Sequence, residues 1–272
     1  MGIINASLEQ VAAGDIVILG IPLDVNSSFM QGPAQAPPLI IEALESDSAN
    51  YFTESLTNLD EHPRLKWIGN QSANEYLDIG QPVLSILKQE AIPITLGGDH
   101  SITYPIVKEI ASHHENLTIL HFDAHGDLYD VLDGNRHSHA CPFARIMEAE
   151  LANRLIQVGI RTMTAHQKEQ VDRFDVEVWQ MKDLPLLKPL VLEGPVYISF
   201  DMDVLDPAFA PGVSHHEPGG LSNREAIEII QQLKATNIVG IDLVEYNPKK
   251  DINGVTAMTA AKILKELIDK LI

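Results

Sequence analysis

The chain is short of positive charge, of cysteine and of long apolar runs, and each shortage excludes something. Nineteen Lys and Arg stand against 38 Asp and Glu, a formal net charge of −19. Nucleic acids and anionic membranes are held by basic surface, so neither is an expected partner. An acidic field favours cationic small substrates, although net charge speaks first to solubility. The one cysteine, Cys141, cannot form an internal disulfide, which points to a reducing compartment and to the cytoplasm as the default. No segment reaches the ~18 consecutive apolar residues of a membrane span. Met1 leads into Gly2-Ile3-Ile4-Asn5 and then Glu9, without the basic flank and apolar stretch of a signal peptide. Low-complexity linkers and internal repeats are also missing, so residues 1–272 are expected to form a single domain.

What is present is apolar and periodic. Hydrophobic residues make up 45% of the chain, enough for a sizeable core. Short β-branched runs recur at 16–19, 66–68, 92–96, 118–122, 155–158, 176–179, 196–200 and 238–243. Several show little polar alternation, as strands covered on both faces do. Between them, segments 80–89, 104–113, 141–149, 166–173, 223–235 and 256–272 carry apolar residues at helical spacing. Pro37-Pro38 marks a further helix start, and residues 26–38 read as an edge loop. This alternation predicts βαβ units and a doubly wound α/β sheet with helices on both faces.

The ionisable residues cluster where such sheets place ligand sites, at the carboxyl ends of strands. Run 92–96 leads into Gly97-Gly98-Asp99-His100, and run 118–122 into Asp123-Ala124-His125-Gly126-Asp127. Run 196–200 leads into Asp201-Met202-Asp203 and Asp206-Pro207, and run 238–243 into Glu245-Tyr246-Asn247-Pro248. Asp123, His125 and Asp127 fall at i, i+2 and i+4, which an extended backbone would point to one face. Asp201 and Asp203 repeat that spacing. A lone strand-end Asp is ordinarily a cap or turn former, and Asp99 and Asp206 are read so. Four converging carboxylates are different, because like charges in one site block ionisation unless a cation offsets them. His100, Asp123, His125, Asp127, Asp201 and Asp203 are too many ligands for one zinc. With two His, four Asp and no thiolate, the set suits Mn²⁺ better than Zn²⁺. Two ions bridged by Asp123 and Asp201 would lower the pKa of a shared water.

Together these motifs resemble the ureohydrolase family of arginases, agmatinases, guanidinobutyrases and formimidoylglutamases. Further matches are Ser138-His139 before Pro142-Phe143, and Pro211-Gly212. The resemblance runs from about Gly20-Ile21-Pro22 to the helix at Thr256. It implies a three-layer α/β/α fold around an eight-stranded, mostly parallel sheet, two Mn²⁺ per subunit, and a homo-oligomer, commonly a trimer or hexamer. By that similarity His100, Asp123, Asp127 and Asp201 hold one ion, and Asp123, His125, Asp201 and Asp203 the other.

The implied reaction is hydrolysis of a guanidino compound to urea and an amine. Asp127 is placed to accept the nucleophile's proton, and His139 is the candidate donor to the departing amine. The bland alternative for His139 is a solvated loop histidine. Glu245 is the candidate for orienting the planar guanidinium by parallel hydrogen bonds; otherwise it would be a solvated glutamate pairing with Lys249 or Lys250. His215 and His216 belong to a loop that should overhang the site.

The substrate is less legible. Gly159-Ile160-Arg161-Thr162-Met163-Thr164 lacks the acid that arginases place after this strand, and Leu128-Tyr129-Asp130 replaces their small polar residues. Both departures favour agmatine over L-arginine, with Asp130 and Asp133 as an acidic rim for its amine. Arg136, in the same loop, would instead suit a carboxylate such as that of 4-guanidinobutyrate. Formimidoylglutamate hydrolysis, a single-zinc deacylase and a non-catalytic binding protein are the other readings.

Overall fold

Nine strands and seven α-helices alternate along residues 2–272, which are the residues described by the computed structural model. In chain order they are β1 (Ile4–Asn5), β2 (Ile16–Ile21), α1 (Ala36–Leu44), β3 (Leu65–Asn70), α2 (Gln81–Leu87) and β4 (Ile92–Gly97). There follow α3 (Thr103–Ala111), β5 (Thr118–Phe122), α4 (Pro142–Glu148), β6 (Arg154–Ile160), α5 (Ala165–Phe174) and β7 (Glu177–Gln180). The last elements are β8 (Val191–Asp201), α6 (Asn223–Gln232), β9 (Lys234–Val244) and α7 (Val255–Asp269). All strands join one sheet in the order β1-β3-β2-β4-β9-β8-β5-β6-β7, and every ladder is parallel.

The sheet is the middle of three layers, and strand alternation sorts its side chains. Ile16 and Ile18 of β2 join one apolar cluster with Ile40 of α1, Ile227 of α6 and Leu264 of α7. Val17 and Leu19, pointing the other way, join a second cluster with Ile86 of α2, Ile106 of α3 and Phe143 of α4. All six residues of β2 are buried, which explains its unbroken apolar sequence. Each fully buried side chain of this size contributes about 1.5–3 kcal/mol. Near the ends of the central strands β5 and β8, the Phe122 and Phe200 ring centroids lie 5.3 Å apart, one residue before Asp123 and Asp201.

Two details differ from the sequence reading. The sheet has nine strands rather than eight, because β1 pairs through Ile4 and Asn5 alone, too short a run to show periodicity. The helix expected over 223–235 stops at Gln232. Leu233 and Ala235 continue the helical spacing, but Lys234 N donates to Leu190 O at 2.8 Å and β9 begins there. Pairing along the long β8–β9 ladder outweighs one more helical turn.

Candidate metal centre

The four central strands β4, β9, β8 and β5 deliver the acidic motifs side by side, but the chain leaves each strand before its ligands are complete. A pleated strand would separate Asp123 from Asp127 by roughly 13 Å, too far to share an ion. Instead β5 stops at Phe122 and the chain turns. Asp123 Oδ1 accepts from His125 N at 2.5 Å, and Asp127 takes a left-handed φ of 47°. Asp201 likewise caps a single 3-10 turn, Met202–Val204, its Oδ1 accepting from Asp203 N at 2.7 Å. Same-face strand spacing is therefore not what gathers these residues; Asx-type turns gather them. Just past β4, a Cβ on Gly98 would lie 1.7 Å from Leu23 O, so only glycine lets the loop after β2 pack against this strand end.

The result is one buried cluster. His100 Nδ1 lies 3.0 Å from Asp201 Oδ2 and 3.2 Å from both Asp123 Oδ2 and Asp127 Oδ2. His125 Nδ1 lies 3.1 Å from Asp203 Oδ2 and 3.3 Å from Asp123 Oδ1. Asp123, Asp127, Asp201 and Asp203 are all at most 6% exposed. All six predicted ligands thus meet in one place.

The tautomer of His100 shows what this cluster is built to hold. Ser199 Oγ donates its only proton to Asp242 Oδ1 at 2.7 Å, so it accepts from His100 Nε2 at 2.8 Å. A neutral His100 then turns the Nδ1 lone pair towards three carboxylate oxygens, and Nδ1 indeed has no hydrogen-bond partner. Lone pairs converging from every side fit a cation. Without one, the carboxylates of Asp123, Asp127 and Asp201 outweigh burial and raise the His100 pKa well above the imidazole norm. Burial, then the charges of Asp203 and Asp123, push the Asp201 carboxyl well above its ordinary value. The bare cluster therefore takes up protons where a divalent ion would supply the charge. Oxygen-rich donors without sulfur suit Mn²⁺.

A supporting layer escaped the sequence reading. Gln157 Nε2 donates to Gly126 O at 2.6 Å and to His121 Nδ1 at 3.0 Å, leaving His121 Nε2–H to donate to Asp123 Oδ2 at 2.8 Å. Asp242 accepts from Thr103 Oγ1, Tyr197 Oη and Ser199 Oγ at 2.7–2.8 Å. The available signal was a polar residue inside an apolar strand: His121 in β5, Gln157 in β6 and Asp242 in β9.

Beside the cluster opens a cavity of about 240 Å³ lined by His125, Asp127, His139, His215 and Glu245 among others. His139 is not a solvated loop residue. It is 8% exposed, with Nδ1 2.8 Å from Glu245 Oε1 and Nε2 2.9 Å from Ser28 Oγ. Burial opposes its charge, but Glu245 more than offsets this and the pKa rises to about 9. Glu245 is buried, at a left-handed φ of 63°, and its Oε1 also accepts from His100 N at 3.0 Å. Lys249 reaches Gln31 O rather than Glu245. His215 reaches the cavity, its ring 5.0 Å from that of His139, whereas His216 is exposed and bonds Pro211 O.

Of the charges expected at the rim, Asp130 and Arg136 are taken up within the protein. Arg136 binds Asp130 and Glu148, each at 2.9 Å, and Arg145 binds the same two acids at 2.9 and 2.8 Å. Asp130 is thus already matched by two guanidinium groups, and Arg136 by two carboxylates. Neither is free to choose a substrate tail. The acid-lacking segment after β6 instead contributes Thr162 and Thr164 to the cavity wall, where Gln167 of α5 and Tyr129 join them.

With this geometry in hand, residues 14–269 match the model of the arginase family. The chain belongs to the arginase family. It is therefore a hydrolase of guanidino C–N bonds. It is 47% identical to "Arginase 1, mitochondrial" of Arabidopsis thaliana over 93% of this chain and 80% of that protein. It is 34% identical to "Agmatinase, mitochondrial" of Gallus gallus, over 93% and 80% respectively. The solved arginase of Medicago truncatula superposes with a TM-score of 0.90 at 43% identity, covering 96% of this chain and 88% of that one. Arginase-family membership matches the three-layer α/β/α fold around a parallel sheet.

Two expectations are corrected by these relatives. The lean towards agmatine is not supported, since the plant arginases are nearer in sequence than the agmatinase. The cytoplasmic assignment is contradicted by relatives named mitochondrial or chloroplastic/mitochondrial. A single reduced cysteine is compatible with organelle interiors too, so it never carried that inference. Among the described residues no helix is long and apolar enough to cross a membrane.

Proposed function

We propose that this arginase-family chain hydrolyses L-arginine to urea and ornithine at a site holding two Mn²⁺. The observation that carries the chemistry is His100 Nδ1, unpartnered and facing oxygens of Asp123, Asp127 and Asp201 within 3.2 Å. His100, Asp123, Asp127 and Asp201 would hold one ion; Asp123, His125, Asp201 and Asp203 would hold the other. Divalent ions there supply the charge that four buried carboxylates require and acidify a water for attack at neutral pH.

The chain's own groups do the rest. Asp127, fixed by its left-handed turn, accepts the proton of the attacking water. Glu245 keeps Oε1 on His139 and His100 N, while its Oε2 makes no hydrogen bond within the described residues and is left for the guanidinium. His139, charged at neutral pH, gives its proton to the departing amine.

The tail of the substrate decides between guanidino compounds. No Lys or Arg lines the cavity, and Tyr129, Thr162, Thr164 and Gln167 form a neutral part of its wall. Agmatine would present a lone ammonium and 4-guanidinobutyrate a lone carboxylate to that neutral wall. The α-ammonium and α-carboxylate of L-arginine offset one another and suit hydroxyl and amide partners. The greater similarity to plant arginases supports the same choice. A single-zinc deacylase would leave His100 and Asp203 without a task, although both lie in the cluster.

The test is reconstitution with Mn²⁺ and a urea-release assay on L-arginine, agmatine and 4-guanidinobutyrate, with formamide release from formimidoylglutamate alongside. L-arginine should give the highest kcat/KM. Preference for another compound would overturn the substrate, and no product from any would overturn the reaction.

A further inference from the structure

His139 has a partner on each ring nitrogen, and the two partners differ in kind. Nδ1 faces buried Glu245, whereas Nε2 meets Ser28 Oγ, which stands at the exposed lip of the cavity. The ring itself is largely buried, with only a tenth of its side chain exposed, towards the cavity. Among the described residues, Ser28 is the exposed hydroxyl that hydrogen-bonds His139. His215 is the other ring nearby and makes no hydrogen bond to His139.

Ser28 is held there by construction. Two residues earlier, Asn26 is clamped from several sides. Its N–H donates to Asp99 Oδ2 at 3.0 Å and its Nδ2 to Ser101 Oγ at 3.1 Å. Its Oδ1 accepts from Asn135 Nδ2 at 3.0 Å, and its carbonyl accepts from His139 N at 3.1 Å. Ser27 Oγ adds a contact to Asp99 Oδ2 at 3.3 Å. The loop bearing Ser28 is thus tied to the loop bearing His139, and both to the turn that carries His100.

We propose that Ser28 is a proton relay that acts through His139, returning to it from bulk water the proton lost in each turnover. This rests on the reading of His139 as donor to the departing amine. When the C–N bond breaks, the amine nitrogen takes the Nε2 proton and His139 becomes neutral. A solvent or buffer acid then protonates Ser28 Oγ as the Oγ–H proton passes to Nε2. His139 regains its charge, Ser28 is unchanged, and the buffer acid leaves as its conjugate base. Although Ser28, His139 and Glu245 have the composition of a nucleophile triad, Nδ1–H against Glu245 and a charged ring leave no base to activate the serine.

The experiment compares Ser28→Ala, Ser28→Thr and His139→Asn in the Mn²⁺-loaded protein. Ser28→Ala should lower kcat about tenfold in dilute buffer with KM little changed, a part of what a general acid supplies. Raising the concentration of a small acid such as imidazolium should restore it, and Ser28→Thr, which keeps the hydroxyl, should behave as the parent. An undiminished kcat in Ser28→Ala, or a loss that no buffer repairs, overturns the relay. His139→Asn separates the two levels: if it leaves kcat intact, the donor reading itself is wrong, whatever Ser28 does.

Discussion

Ser199 Oγ lies 2.8 Å from His100 Nε2, and this one contact orients the nitrogen on the other side of the ring. The hydroxyl proton is committed to Asp242, so the ring must donate to Ser199 and keep its lone pair on Nδ1. Ligand geometry is thus fixed one layer behind the ligands. Ser199→Ala should lower Mn²⁺ affinity about 10–100-fold, the usual effect of losing such a partner. Titration of metal-free protein with Mn²⁺ measures it. Unaltered affinity would mean that Ser199 does not set the tautomer.

Metal binding should expel protons. In the bare cluster His100 and the Asp201 carboxyl both have raised pKa values, by neighbouring acids and by burial respectively. Protons held there near neutrality must leave when a cation arrives, so apparent Mn²⁺ affinity should rise with pH. Calorimetry in buffers of different ionisation enthalpy should register net proton release at pH 7. Binding without proton release would contradict the protonated bare state.

The pH profile of kcat should carry the signature of Glu245 on His139. The donor must be protonated, so its contribution is present below its pKa and lost as pH rises through about 9. Glu245→Gln removes the main charge that offsets burial, and the His139 pKa should then fall, with Asp127 and Asp99 still holding it up in part. The alkaline limb should move to lower pH in that variant. A limb that stays in place would assign it to another group.

Substrate choice should ignore the charged rim. Arg136→Ala breaks exposed contacts to Asp130 and Glu148, half of a network that Arg145 continues to hold. Such pairs are worth about 0–1 kcal/mol. The KM for L-arginine should change less than threefold, about 0.65 kcal/mol or under. A larger change would place Arg136 at the substrate after all.

Much of this was legible in the sequence because burial leaves a strong trace. Strands such as β2, covered on both faces, read as unbroken apolar runs, and the acids that follow strands such as β5 stand out. The two-residue β1 and the end of α6 left no such trace, since pairing rather than periodicity decides them. The six candidate ligands stood out by type and position, yet the reason for their convergence did not. Asp127 at positive φ and the turns capped by Asp123 and Asp201 are conformations that spacing along a chain does not reveal. Arg136 and Asp130 misled for a related reason: each reads as a free charge until the fold places one against the other.

Hydrolysis by this chain, as proposed, requires a site for two ions. Elemental analysis of the Mn²⁺-reconstituted protein, alongside Asp203→Ala, tests that directly. The parent should hold two Mn²⁺ per chain and Asp203→Ala about one, since Asp203 serves a single ion and leaves the His100 set intact. One tight ion in the parent, unchanged by losing Asp203, would contradict the binuclear centre on which the proposed chemistry depends.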